Sequence, residues 1–366
     1  MDNMHEILDE VNRFNQDSVL ATIIEVEGSA YRKEGTSMLF LPGGRQIGLI
    51  SAGCLEADLA HQAEKLLNVD DIHSRHLIYD TSAEDDLSWG RGAGCNGKVH
   101  ILLEKVDKEM RDQLNRVREY LKSGRPVTIV KLLQDDFAIK KTLFITEQEQ
   151  AAGHSQVQST DQLAQLALKN KKACLHYLKD IQQTAFVQPI APKPRVFLFG
   201  AGPDARPFAS MAAKTGFSVH VWDWRPVYCS KDYFPEAHIM QPKPFHETKK
   251  EFHFVSTDSI VIMTHDFQKD KEIIHHMAHE TQAAYLGILG PRKRTMRLLG
   301  QNEIPEHIHS PIGLSIGAEG PEEIAISIVA DLVRAKSSCI LKERSFSSNG
   351  KSNRYLPVSW PEQKVW

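Results

Sequence analysis

Two of the five cysteines stand where sulfur chemistry is feasible. Cys54, in Ala52-Gly53-Cys54-Leu55-Glu56, follows a predicted strand and opens a predicted helix, where orphan amides and the macrodipole favour a thiolate. Cys95, in Gly92-Ala93-Gly94-Cys95-Asn96-Gly97, lies in a loop with almost no side-chain cover, which suits a ligand or soft metal bound through sulfur. Either thiol is also compatible with the commoner role of a small buried hydrophobe. Cys174, Cys229 and Cys339 lack comparable surroundings and read as packing residues.

A second set of residues suggests phosphate recognition. Val196–Phe199 is an apolar strand running directly into Gly200-Ala201-Gly202-Pro203-Asp204-Ala205, a GxGxxA turn ahead of a helix. Gly200 permits the tight turn, Gly202 lets backbone amides approach a phosphate at the helix N-terminus, and Ala205 allows close helix–strand packing. Asp223 follows the second strand, where an acid meets a ribose hydroxyl or caps a turn. Arg225 reaches a second phosphate or pairs on the surface. His265, in Thr264-His265-Asp266, sits past the fourth strand at the carboxyl edge where such sheets bind ligands; its alternative is a bond to a neighbouring carbonyl. His275 and His276 are adjacent on a helix and face different directions, which is wrong for shared metal ligation.

The elements around these residues predict an α/β protein: a C-terminal Rossmann-type doubly wound sheet plus an N-terminal α+β domain. Strands are expected at Ser18–Val26, Ser37–Leu41, Gln46–Ser51, His76–Tyr79 and Val99–Glu104, with a helix from Cys54 to Leu67. A helix over Lys108–Leu121 should stop at Ser123-Gly124-Arg125-Pro126, before strands Val127–Leu133 and Phe137–Ile145. Val187–Pro194 reads as a Pro-rich linker. The expected divisions are 1–107, 108–190, 191–335 and a tail, 336–366, of little apolar periodicity. Aromatic residues in that tail suit docking across a groove of a homodimer, and the alternative is a disordered end.

Composition narrows the classes. The 366 residues are 41% hydrophobic and 25% charged with net charge −3, so no basic field points to nucleic acid or an anionic membrane. No apolar run approaches the roughly 18 residues of a membrane span, and the polar N-terminus is unlike a secretory signal. A cytoplasmic protein is expected. An odd cysteine count without CxxC argues against a disulfide framework.

Taken in order, these segments resemble the xanthine dehydrogenase accessory family of the XdhC/CoxI type. The matching residues are Gly28-Ser29, Tyr31-Arg32 and Gly35, then Gly48–Glu56, Gly94–Gly97 and Gly200–Ala205. They continue through Asp223-Trp224-Arg225-Pro226, Thr264-His265-Asp266, Tyr285–Gly290, Pro311–Gly317 and Pro321–Ala325. Asn96, Ala52 and Ser315 depart from residues frequent in the family. The resemblance implies a protein that binds molybdenum cofactor (molybdopterin), protects it during sulfuration with a cysteine desulfurase, and delivers it to a xanthine dehydrogenase-type apoenzyme. It also implies that Cys54 and Cys95 contact the molybdenum end while the Rossmann half holds the phosphate or a nucleotide extension. The competing reading is an NAD(P)-dependent oxidoreductase acting on a small molecule.

Overall fold

The computed structural model describes residues 3–80, 96–146, 160–248, 252, 254–280 and 283–347. The chain divides into two compact units between Pro192 and Lys193.

The first unit opens with helix α1 (Met4–Arg13), followed by β1 (Ser18–Ser29), β2 (Ser37–Phe40), β3 (Gln46–Gly48), α2 (Glu56–Leu67), β4 (Ser74–Asp80) and β5 (Asn96–Val106). The strands form an antiparallel sheet in the order β3-β2-β1-β5-β4. β1 is buried on both faces from Ser18 to Ile24, and its side chains alternate between two cores. Val19, Ala21 and Ile23 pack on Leu59, Ala63 and Leu66 of α2. Leu20 meets Ile7 and Leu8 of α1 and Leu114 of α3 (Lys108–Lys122). Asp107 caps α3 by accepting from the Met110 amide.

A second antiparallel sheet, ordered β7-β6-β9-β8, completes the unit with β6 (Val127–Leu133), β7 (Ile139–Ile145), α4 (Thr160–Lys169), β8 (Cys174–Leu178) and β9 (Gln183–Ile190). The expected linker therefore begins inside a strand: Val187, Gln188, Pro189 and Ile190 pair with Val130, Ile129, Thr128 and Val127. β8 stops opposite Val187, so beyond that point β6 is the ladder neighbour of β9 and a residue lacking an N–H is tolerated.

The second unit alternates strand and helix: β10 (Arg195–Phe199), α5 (Ala205–Lys214), β11 (Ser218–Trp222), β12 (His238–Ile239), α6 (Phe245–Thr248), β13 (Ser259–Ile262), α7 (Phe267–Glu280), β14 (Tyr285–Ile288), α8 (Arg292–Leu299), β15 (Ile308–His309) and α9 (Pro321–Ser347). The sheet is parallel throughout, ordered β12-β11-β10-β13-β14-β15, with its topological switch between β10 and β13. This is the Rossmann arrangement expected. α9 corrects the reading of the tail, since the helix continues to Ser347. No Gly or Pro interrupts the sequence between Pro321 and Gly350, so nothing local ends it earlier.

Candidate functional site

At the carboxyl edge of β10 the chain makes the turn that its glycines require. Gly200 has φ +112°, and a Cβ there would lie 2.4 Å from the Met263 carbonyl oxygen on the neighbouring strand's exit. The Gly200 amide donates to Trp222 O at 2.9 Å, tying the turn to the end of β11. A Cβ on Gly202 would stand 2.8 Å from Asp204 Oδ1, and Ala205 is fully buried as α5 begins.

Asp223 is wholly buried and braces this turn from 22 residues away. Its Oδ2 accepts from the Ala201 amide at 2.8 Å and from Arg225 Nη2 at 2.8 Å, while Oδ1 accepts from the Arg225 amide and Nε, each at 2.9 Å. A carboxylate has about four acceptor positions, and all are engaged. A ribose hydroxyl arriving at Asp223 would displace one of these donors. Arg225 also lies over the rings of Trp224 and Tyr228, 4.4 and 4.3 Å from their centroids. Cys229 donates to the Asp223 carbonyl, and burial pushes its thiol up to about 11, in keeping with a packing role.

His265 follows β13 in left-handed backbone, φ +61°, unusual for a residue with a Cβ. Its exposed ring places Nε2 2.6 Å from Asp204 Oδ2, at the start of α5. Asp204 occupies the N-cap position of α5 but makes no side-chain cap bond; its carboxylate turns to His265 and lies over Gly202. The loop is held from below by Asp270, which accepts from the Thr264 amide and hydroxyl and pairs with Arg294 at 2.7 Å.

In the first unit Cys54, half-buried, lies two residues before α2. Its turn is organised by Glu56. Glu56 Oε1 accepts from the Ser51 amide at 2.7 Å, and Oε2 accepts from the Ser51 hydroxyl and from the Leu55 amide at 3.2 Å. Ser51 Oγ in turn accepts from the amides of Gly53 and Leu55, both at 3.1 Å. Burial alone would push the Glu56 carboxyl up, but the hydrogen bonds from Ser51 and the turn outweigh it and hold it below its ordinary value. The positive end of α2, expected to serve the Cys54 sulfur, is thus occupied by a carboxylate as well.

On the opposite face of the same sheet, His100 places Nδ1 3.3 Å from His76 Nε2 and Nε2 3.0 Å from Glu27 Oε1. Burial, then the neighbouring His100, pushes His76 down to about 4, while burial and the charges of Glu27 and Glu34 push Glu25 up to about 7. In the second unit His220, stacked on Phe197 and His238, is pushed down to about 4 by burial, His238 and Arg195.

Family models match three stretches: the XdhC and CoxI family over residues 13–75, the BH1974-like central domain over 108–191, and the XdhC Rossmann domain over 196–332. A probable xanthine dehydrogenase subunit of Bacillus subtilis (strain 168) is 43% identical over 339 residues, spanning 92% of this chain and 98% of that protein. The chain belongs to the XdhC/CoxI family. A second relative, the molybdenum cofactor insertion chaperone PaoD of Escherichia coli (strain K12), is 22% identical over 334 residues, 87% of this chain and 83% of PaoD. Among solved structures, a crystal structure described as a xanthine dehydrogenase (BH1974) from Bacillus halodurans shares 42% identity at a TM-score of 0.79, covering 92% of this chain and 96% of that one.

Within this XdhC/CoxI chain the Rossmann match takes in Gly200, Gly202, Ala205, Asp223, Arg225 and His265, and the structure gathers these around one turn. Cys54 falls in the XdhC and CoxI match. Cys95 lies between the matched stretches and outside the described residues. Sequence reasoning missed Asp204 and the Ser51–Glu56 brace. Asp204 is visible in the motif, but its link to His265 arises only when β10 pairs with β13. Among the described residues, no group of three or more His, Cys, Asp or Glu is arranged to hold a metal ion, and no helix is long and apolar enough to cross a membrane.

Proposed function

We propose that this chain binds molybdenum cofactor as cargo, shields it while a cysteine desulfurase supplies the terminal sulfido ligand, and passes it to a xanthine dehydrogenase-type apoenzyme in the cytoplasm. The relatives' names support the cargo and the client. The observation that carries the reading is the pairing, in one XdhC/CoxI chain, of a glycine turn at a Rossmann carboxyl edge with a partly accessible cysteine on a pre-set turn. Cys54, with Cys95, offers soft sulfur to the molybdenum end. Gly200, Gly202, Ala205, Asp223, Arg225 and His265 offer the Rossmann edge to the organic, pterin end of the cofactor. The chain acts as a homodimer.

The test is co-expression with a cofactor-producing host, followed by oxidation and fluorescence detection of pterin in the purified protein. Cys54→Ser keeps size and polarity but removes the soft ligand, so it should lower cofactor retention without shifting the melting temperature. Gly202→Asp should lower it by placing a carboxylate where the cofactor approaches the turn, with the melting temperature as the control for folding beside Asp204. Wild-type protein free of pterin but titrating tightly with NADH or NADPH would replace this reading with the oxidoreductase one. Sedimentation velocity checks the dimer.

A further inference from the structure

A cavity of about 110 Å³ opens beside the glycine turn, on the β13–β14 side of the switch point. Phe208, Met263, Leu289 and Ile328 supply apolar walls, and Asp204 and Glu319 are the charged residues that line it. The volume is below the roughly 150 Å³ that holds a benzene molecule, so the cavity takes the edge of one flat ring and leaves the rest in its mouth. A dinucleotide's pyrophosphate is poorly served here. The amides of Gly200, Ala201, Ala205 and Arg206 are spent on internal acceptors and Pro203 has none, which leaves the turn only those of Gly202 and Asp204 to offer. The Asp204 carboxylate, held by His265, already lies over Gly202, where it opposes an anion.

An acceptor-only carboxylate beside an apolar slot selects the opposite chemistry: a planar, uncharged ring presenting N–H donors along one edge. We propose that this cavity is a subsite for an amino-substituted nitrogen heterocycle with adjacent ring N–H and exocyclic amino donors, read by Asp204 with Glu319 at the rim. Two sources carry that edge, the 2-amino-4-oxo ring of a pterin and a guanine base. The assignment rests on the cargo reading where it names the pterin, and on the cavity alone where it names the edge. His265 fixes the Asp204 rotamer, so the left-handed backbone at His265 serves to aim the acceptor.

Isothermal calorimetry on the purified full chain tests this with pterin, with lumazine (its 2,4-dioxo analogue lacking the amino donor) and with guanosine 5′-monophosphate. Pterin should bind at least about tenfold more tightly than lumazine, because an oxo group facing the carboxylate loses a hydrogen bond and gains repulsion. Asp204→Asn should weaken pterin about tenfold with the melting temperature retained, and Glu319→Gln should weaken it less. Guanosine 5′-monophosphate displacing pterin, and binding more tightly, would assign the edge to a nucleotide. Equal affinities for pterin and lumazine, or a pterin affinity unchanged in both variants, would overturn the subsite. Cofactor content measured on the same preparations separates the two ideas. Full retention by an Asp204→Asn protein with unchanged pterin affinity sinks the subsite alone; a cofactor-free wild type that still discriminates pterin from lumazine sinks the cargo reading alone.

Discussion

Gly53 and Gly200 hold nearly the same left-handed backbone, φ +108° and +112°, each at a turn between a strand and a helix. Their surroundings are opposite. Nothing lies within 4 Å of a Cβ built on Gly53, whereas one on Gly200 would collide with the Met263 carbonyl and the Thr264 amide nitrogen. The acids that brace the two turns differ in the same sense. Glu56 reaches back five residues to Ser51, and its charge is met by amides and a hydroxyl. Asp223 reaches across to the next strand's turn and is matched by Arg225. The Cys54 turn is a local device with open space beside it. The Gly200 turn is wedged into the sheet, so its shape depends on strands far along the chain.

The largest effect should separate the two glycines. Gly200→Ala combines a strained backbone with a backbone collision and should cost about 3–5 kcal/mol. Gly53→Ala carries only the left-handed penalty, about 1–2 kcal/mol. Urea unfolding midpoints of the two variants measure both; equal losses would break the comparison.

A smaller difference is expected between the braces. Asp223→Asn sets a side-chain N–H against the donors of Ala201 or Arg225 inside a fully buried site and should cost about 2–3 kcal/mol. Glu56→Gln, which can keep an oxygen toward the Ser51 amide, should cost about 1–2 kcal/mol. Thermal unfolding should show Asp223→Asn as the more damaging, and the reverse order would mean that the Cys54 turn is the less replaceable of the two.

The mildest contrast lies in pH. His76 and His220 each have a folded value of about 4 against an ordinary 6.5, so unfolded chains take up protons first and both units lose stability as pH falls from about 6.5 to 4. Glu25 acts with opposite sign. Its folded value of about 7 stands above an ordinary 4.5, so the first unit also loses stability as pH rises through that interval. Glu25→Gln should remove the loss on the alkaline side and leave the acid limb in place. Melting curves between pH 4 and 8 that keep their alkaline limb in the variant would refute the role of Glu25.

What the sequence disclosed follows from the range of the forces involved. The Rossmann sheet was legible because an apolar strand, a GxGxxA turn and a helix are adjacent in the chain. α1 carries its pattern in the sequence, with Met4, Ile7, Leu8 and Val11 spaced for one helical face after Asn3, a residue type favoured at helix starts, although the Asn3 side chain makes no cap bond in the structure. β8 is five residues between lysine-rich flanks and gains its identity only by pairing with β9. The candidate residues were legible as types but not as partners. Asp223 in sequence could cap a turn or meet a ribose; three of its donors come from nearby Arg225, but the fourth, the Ala201 amide, reaches it only once β10 and β11 lie side by side. Glu56 stands in the first turn of α2, where the helix dipole favours any acid, and nothing in its spacing shows that it bends back onto Ser51.

Pro189, where a linker was expected, bears on how the first unit meets other chains. A strand seeking to extend the second sheet past the end of β8 would find no N–H at Pro189 to complete its ladder. That stretch of edge is therefore a poor template for intermolecular β-pairing, a safeguard against fibre-like growth.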